Sequence, residues 1–336
     1  MERRRLLEVL VLSLGTGALA SSGEPIRQLL DLTLASEDRS TEDWELACVD
    51  HLRALRTRPP AQVRDGLLID LLALQRQLKK ADTKDQPDLN RSAAALSLIM
   101  ANAVTRMGAH SAAVHSWRTA KTAADASGDL HVRLMVRSEE AGCGLYGQRD
   151  IATVLTLVDK ARELTPGPSS FWHADLAGTR AKALTLLGRH DEAKRELTTF
   201  VSYDGADGPA TILPTLWCPD QTHFAESWVY AGAGNEAKAD EARSNVLAYN
   251  GDYQYNANVR LHEALCTVAN GGIDQGAQQA TALLSSLPSI HRSAMISEVG
   301  RMVLRMVPLD QRDRPAVQDL RATLAATTPH ATLSQL

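Results

Sequence analysis

Aromatic residues are scarce in this chain. They make up 4% of its 336 residues, and only three are Phe. A core without them has to be built from Ala and Leu, which favour helix and let helices pack closely. Runs of Val, Tyr and Phe alternating with polar residues are also missing, which argues against a large β-sheet. There is no excess of positive charge: 36 Lys and Arg are scattered among 40 Asp and Glu, for a net charge of −4. Proteins that grip nucleic acid need a basic stripe, so direct nucleic-acid binding by this chain is not expected. Cysteines are few and far apart, at Cys48, Cys143, Cys218 and Cys266. No CxxC or other zinc spacing joins them, and buried free thiols in a reducing, cytoplasmic setting fit best. Phosphate loops of the GxxxxGK form are absent, and His262-Glu263 lacks the second His of a zinc-protease HExxH motif. Neither a metal nor a cofactor is expected.

Residues 1–22 admit two readings. Arg3, Arg4 and Arg5, an apolar run and the small-residue ending Ala18-Leu19-Ala20 are the parts of an export signal. The other reading is an amphipathic helix. Leu6, Leu7, Leu10, Val11 and Leu14 recur at helical spacing, and Glu8 interrupts the run below spanning length. Such a stripe would offer a surface for homodimerisation. Gly15 to Ala20 also fits the loose GxGxxA nucleotide fingerprint. Gly23 and Pro25 follow where that motif needs helix, and no βαβ pattern succeeds it. No later stretch is apolar enough to cross a membrane.

What the chain does have is punctuation. Pro59-Pro60, Asp82 to Pro87, Pro166 to Pro168, Asp204 to Pro219, Asn250-Gly251, Gly271-Gly272, Pro288 and Pro308 separate segments of helical length. Within them the apolar residues recur with a 3.6-residue period. Trp44, Cys48, Leu52 and Leu55 form one stripe; Val63, Leu67, Leu71, Leu74 and Leu78 form another. Ser40-Thr41-Glu42-Asp43 and Asp129 supply acceptors where helix N-termini expose free N–H groups. A repeat then emerges. Gly108 leads to Ala113 and Trp117, Gly188 to Ala193 and Leu197, Gly234 to Ala239, and Gly272 to Ala277; Arg149 with Val154 and Val158 is a weaker copy. The copies recur roughly every forty residues. Glycine ends one helix in a left-handed turn, and the small residue on the next helix lets the two approach closely. One such pair cannot bury its own apolar face, so pairs stack.

This pattern resembles the tetratricopeptide repeat, most clearly over residues 90–287. The resemblance implies an all-α fold: a solenoid of antiparallel helix pairs wound as a right-handed superhelix. Residues 23–89 then form an N-terminal helical segment, 288–328 capping helices and 329–336 a tail. The order of features is also similar to the C-terminal region of actinobacterial helix-turn-helix (XRE-type) transcriptional regulators. The stretches that carry this likeness are RRRLLEVLVLSLGTGALA (3–20), WELACVDHLRALRTRPPAQV (44–63) and GLYGQRD (144–150). Nothing before Trp44 supplies a recognition helix, so either the chain is a stand-alone sensor arm or the DNA-binding domain lies outside it; the likeness implies a regulatory role and assigns DNA contact to no residue here.

In a tetratricopeptide array the first helix of each pair lines the inner face. Alignment on the repeat puts Asn102, Cys143, Lys182, Trp228 and Cys266 there, with Leu98, Glu139, Gly178, Phe224 and His262 one turn earlier. Asn102, Glu139, Lys182, Phe224, Trp228 and His262 are the candidate binding residues; the two aromatics fit the core equally well. The mixture of amide, acid, base and aromatic suits a groove for a peptide, a small polar signal or a partner protein. Catalytic readings are weaker. Glu139 and Glu140 are adjacent and point about 100° apart on a helix. Cys218 and His223 resemble a thiol–imidazole pair, but a loop anchored by Trp217 before a helix starting at Pro219 explains the same residues. His262-Glu263 fits a solvated helix face. The expectation is therefore a non-enzymatic, cytoplasmic regulatory or scaffold protein, with an exported binding protein as the alternative.

Overall fold

The computed structural model describes residues 38–165, 167, 170–203, 212–213, 216, 219–249 and 252–327. The segment 1–22, with its nucleotide-like stretch, lies outside the described residues, as do Trp217, Cys218 and the tail 329–336. Among the described residues there is no strand, and 14 α-helices follow one another. They are α1 (Thr41–Thr57), α2 (Pro60–Lys80), α3 (Gln86–Arg106), α4 (His110–Ser127), α5 (Leu130–Gly144), α6 (Ile151–Arg162) and α7 (Phe171–Leu186). Then come α8 (His190–Val201), α9 (Pro219–Gly232), α10 (Glu236–Ala248), α11 (Tyr253–Ala269), α12 (Ile273–Ser286), α13 (Ala294–Met306) and α14 (Pro315–Thr327). Short 3₁₀ turns follow Pro288 and Pro308.

Local chemistry sets the boundaries. Ser40 caps α1 in a reciprocal capping box with Asp43, and the buried stripe is Trp44, Cys48, Leu52 and Leu55. Pro60 opens α2, where a missing N–H costs nothing. Asp129, Asp150, Ser170, Asp252 and Ser293 each accept backbone N–H groups at the starts of α5, α6, α7, α11 and α13. Gly108, Gly188 and Gly234 hold φ of 76°, 71° and 70° between paired helices, a conformation closed to most L-residues. The fourth turn corrects the sequence alignment by one residue. Its left-handed glycine is Gly271, at φ 89°, while Gly272 is the N-cap of α12. The small residue matching Ala113, Ala193 and Ala239 is therefore Gly276. A methyl group there would come within 2.5 Å of Val268 Cγ2 and 2.7 Å of the Ala264 carbonyl oxygen.

Packing divides the helices into two kinds. Each odd-numbered helix packs against its even partner and against the next odd helix, from α1 through α13. In α3, every residue from Ala94 to Arg106 except Asn102 is buried. Only one stripe of α4 is buried, at Ala113, Trp117, Ala120, Ala124 and Ser127. A helix covered on most of its circumference is an inner element, and one with a single stripe is an outer one. The inner row also bends back on itself: α13 touches α3, and α11 touches α1. One apolar cluster runs from Trp44 to Leu324, joined by the fully buried Trp117 and Trp228. The thiols of Cys48, Cys143 and Cys266 are free and buried.

Candidate functional site

Where the inner helices converge they leave a pocket of about 90 Å³. Helices α3, α5, α7, α9, α11 and α13 all contribute to its lining, together with Phe200 of α8. Its polar walls differ in how well their charges are met.

The α3 wall is fully bonded. Arg106 is 4% exposed. Its Nε donates to Asn102 Oδ1 at 2.9 Å, its Nη1 to the Leu55 carbonyl at 2.8 Å, and its Nη2 to Asp252 Oδ2 at 3.1 Å. The second oxygen of Asp252 accepts the Gln254 N–H at 2.8 Å and so caps α11. Burial works against the guanidinium charge, but Asp252 beside it prevails and holds its pKa above the ordinary arginine range. This cluster ties three inner helices, α1, α3 and α11, at one point.

The α5–α7 wall is not. Asp175 and Lys182 lie two turns apart on α7, and Asp175 accepts a short hydrogen bond from the Ser138 hydroxyl. Glu139 and Lys182 both line the pocket. Among the described residues neither has a hydrogen-bond or ion-pair partner; the Lys182 ammonium lies 5.9 Å from the Phe224 ring centroid. Burial and then the charge of Asp175 push the Glu139 carboxyl up to about 7, against the opposing pull of Lys182, Arg56 and Arg106. Burial likewise lowers the Lys182 pKa, opposed by Asp175 and Glu139.

The third wall is aromatic. Phe224 stacks on Tyr255, with centroids 4.5 Å apart and planes at 24°. Trp228 and His262 stand behind it, 1% exposed each. Trp228 meets Tyr146 edge-on at 5.8 Å. His262 Nδ1 is 3.0 Å from Ser227 Oγ, and burial, then Lys182, pushes its pKa down to about 3, so the ring is neutral.

Of the six candidate binding residues, Asn102, Glu139, Lys182 and Phe224 line the pocket, whereas Trp228 and His262 form its backing; Cys143 and Gly178, aligned to the same face, also line it. The solvated-face reading of His262-Glu263 is corrected for His262, which is buried; Glu263 does lie outward, 3.3 Å from Arg243. Glu139 and Glu140 part as their spacing requires: Glu140 turns from the pocket to Lys121 at 2.6 Å and Arg149 at 3.4 Å. His223 bonds Glu226 at 2.9 Å. Sequence reasoning missed Arg106, Asp175, Thr179 and Tyr255. Two of them carried a signal: Arg106 is one turn after Asn102, and Asp175 is two turns before Lys182 on the same face. Among the described residues no three His, Cys, Asp or Glu side chains form a metal-binding group, and no helix is long and apolar enough to cross a membrane.

Compared with known proteins, the chain matches no protein-family model and none of the curated proteins.

Proposed function

We propose that this chain is a non-enzymatic regulatory protein: a tetratricopeptide-like superhelix that binds a small polar signal at its inner face. The turn glycines and small residues at matching places in four helix pairs support the architecture, as does the packing of each inner helix on the next. The observation that carries the binding reading is Glu139 beside Lys182. Both are charged side chains turned into a pocket, and neither has a partner among the described residues. Unpaired charge in such a place is costly, and a ligand that supplied the missing partners would relieve the cost.

Size favours a small signal over a peptide or a folded partner at this point. The pocket's roughly 90 Å³ is below the ~150 Å³ of an engineered cavity that holds benzene. A ligand here touches helices from six pairs, so it stabilises one arrangement of the pairs over others. The outer helices would carry that shift to a partner, such as a DNA-binding protein, as the resemblance to transcriptional regulators suggests.

A panel of small polar metabolites, screened by thermal shift and then by calorimetry, tests this reading. Binders should stabilise the wild-type chain and leave Gly142→Leu unaffected. Gly142 lines the pocket, and an added Cβ meets nothing nearer than Thr179 Oγ1 at 3.7 Å, so a side chain can start there and extend into the pocket; circular dichroism checks that the variant is folded. If no member of the panel binds, or if binders act equally on folded Gly142→Leu, the pocket is not a ligand site.

A further inference from the structure

We propose that the ligand is a small free amino acid, held as a zwitterion with its carboxylate at Lys182 and its ammonium at Glu139 and Asp175. This rests on the pocket being a ligand site, and it specifies the chemical class.

The argument is one of charge placement. An anion alone would meet Lys182 but would sit beside Glu139 and Asp175, whose like charge repels it. A cation alone would meet the two carboxylates but would sit beside Lys182. A neutral molecule would leave Lys182 and Glu139 acting on each other only across the pocket, with no direct ion pair for either among the described residues. Only a ligand carrying opposite charges a few bonds apart satisfies both. The remaining surface agrees. Thr179 lines the pocket on α7 between Asp175 and Lys182, and its hydroxyl makes no hydrogen bond among the described residues. Phe224, Tyr255 and Phe200 give an apolar side for a short aliphatic group. Phe200 packs so tightly on Gly178 that a methyl there would lie 2.7 Å from the ring, which narrows the pocket from that side. The limited volume selects glycine, alanine or serine over larger amino acids. Arg106 contributes no free charge, because Asp252 already pairs with it at 3.1 Å.

The Glu139 carboxyl provides an independent readout. The charged and titratable groups facing it are Asp175 and Lys182 from α7, Arg106 from α3, Arg56 from α1, Tyr255 from α11 and Cys143 on its own helix. An ammonium arriving beside it favours the ionised form and lowers its pKa from about 7. Binding near neutral pH then releases a proton, and the calorimetric enthalpy varies with the ionisation heat of the buffer.

The experiment is calorimetry on the full chain with glycine, L-alanine and L-serine, set against propionate, ethylamine and succinate. The amino acids should bind, and loss of either charged end should weaken binding at least tenfold. Lys182→Met and Glu139→Gln should each weaken alanine binding at least tenfold. Proton release should vanish in Glu139→Gln. Thr179→Val is the milder variant, with a few-fold loss expected, should either of the others fail to fold. Propionate or ethylamine binding as tightly as alanine overturns the zwitterion and leaves the ligand site standing. So does binding of other metabolites, blocked by Gly142→Leu, when all three amino acids fail. Alanine binding without proton release in the wild type places the ammonium away from Glu139 and overturns the assignment.

Discussion

Two sets of charge share one interior and are treated in opposite ways: Arg106 and Asp252 are buried, whereas Glu139 and Lys182 are half-buried. Arg106 and Asp252 meet at 3.1 Å, and their remaining donors and acceptors are taken by Asn102, the Leu55 carbonyl and the Gln254 N–H. Glu139 and Lys182 border the same pocket, and neither has a hydrogen-bond or ion-pair partner among the described residues. In the first set the fold itself supplies every counter-charge, so the pair works as a clasp between elements distant in sequence. In the second the fold brings opposite charges near one another without a direct ion pair, and partial burial still moves both pKa values toward the neutral forms. What separates the two sets is whether the chain completes the coordination of the charge.

The strongest attack on this comparison is Arg106→Met. It leaves Asp252 buried at 6% exposure without its cation and frees the Leu55 carbonyl. Removing one partner of a buried pair costs about 3–5 kcal/mol. Urea unfolding should show a loss of that order. The double variant Arg106→Met, Asp252→Asn should lose clearly less than the sum of the two singles, because the second change removes the stranded charge. A loss near 1 kcal/mol, the scale of an exposed pair, would mean that the clasp is open to water.

The clasp illustrates where sequence reading reaches its limit. The helices were legible because their signals are local: Ser40 and Asp43 at a cap, Trp44 to Leu55 at helical spacing, Gly108 five residues before Ala113. Four of the six candidate binding residues line the pocket, and they were legible because one alignment was carried from pair to pair as a facing rule. Trp228 and His262 obeyed that rule and still fell behind the pocket, because Phe224 and Tyr255 stack in front of them. In the last full copy the doubled Gly271-Gly272 hid which glycine turns the chain, and only its φ decides. The Arg106–Asp252 contact spans 146 positions. Nothing local in either residue announces the other; it follows from the inner row bending back so that α11 and α13 meet α1 and α3.

A second variant, Glu139→Gln, sharpens the contrast through pH. The folded carboxyl holds its proton up to about pH 7, whereas an ordinary glutamate releases it near 4.5. Between those values the folded state binds more protons than the unfolded one, so this group lowers stability as pH rises through the window. The amide that replaces it titrates in neither state. The variant should match wild type near pH 4 and exceed it by ~1–3 kcal/mol above pH 7.5, discounted from the full shift because the pocket is partly hydrated. His262, whose folded pKa lies near 3, acts with the opposite sign between about 3 and 6.5. It is common to both proteins, so the difference between their stability–pH curves isolates Glu139.

The smallest expected effect is the most discriminating. Lys182→Met keeps length and apolar contact and deletes a charge that makes no ion pair among the described residues. Lys182 is half-buried and interacts with opposite charge only at a distance, so its removal should cost no more than an exposed pair does, and stability at pH 7.5 should stay within ~1 kcal/mol of wild type. The same chemical change at Arg106 should cost several times more, although the two side chains line the same pocket. Equal costs would erase the division between clasp and recognition wall and make Lys182 a structural residue. Unequal costs, with ligand binding lost only in Lys182→Met among the two once both are folded, would show that the unpaired charge serves the ligand and not the fold.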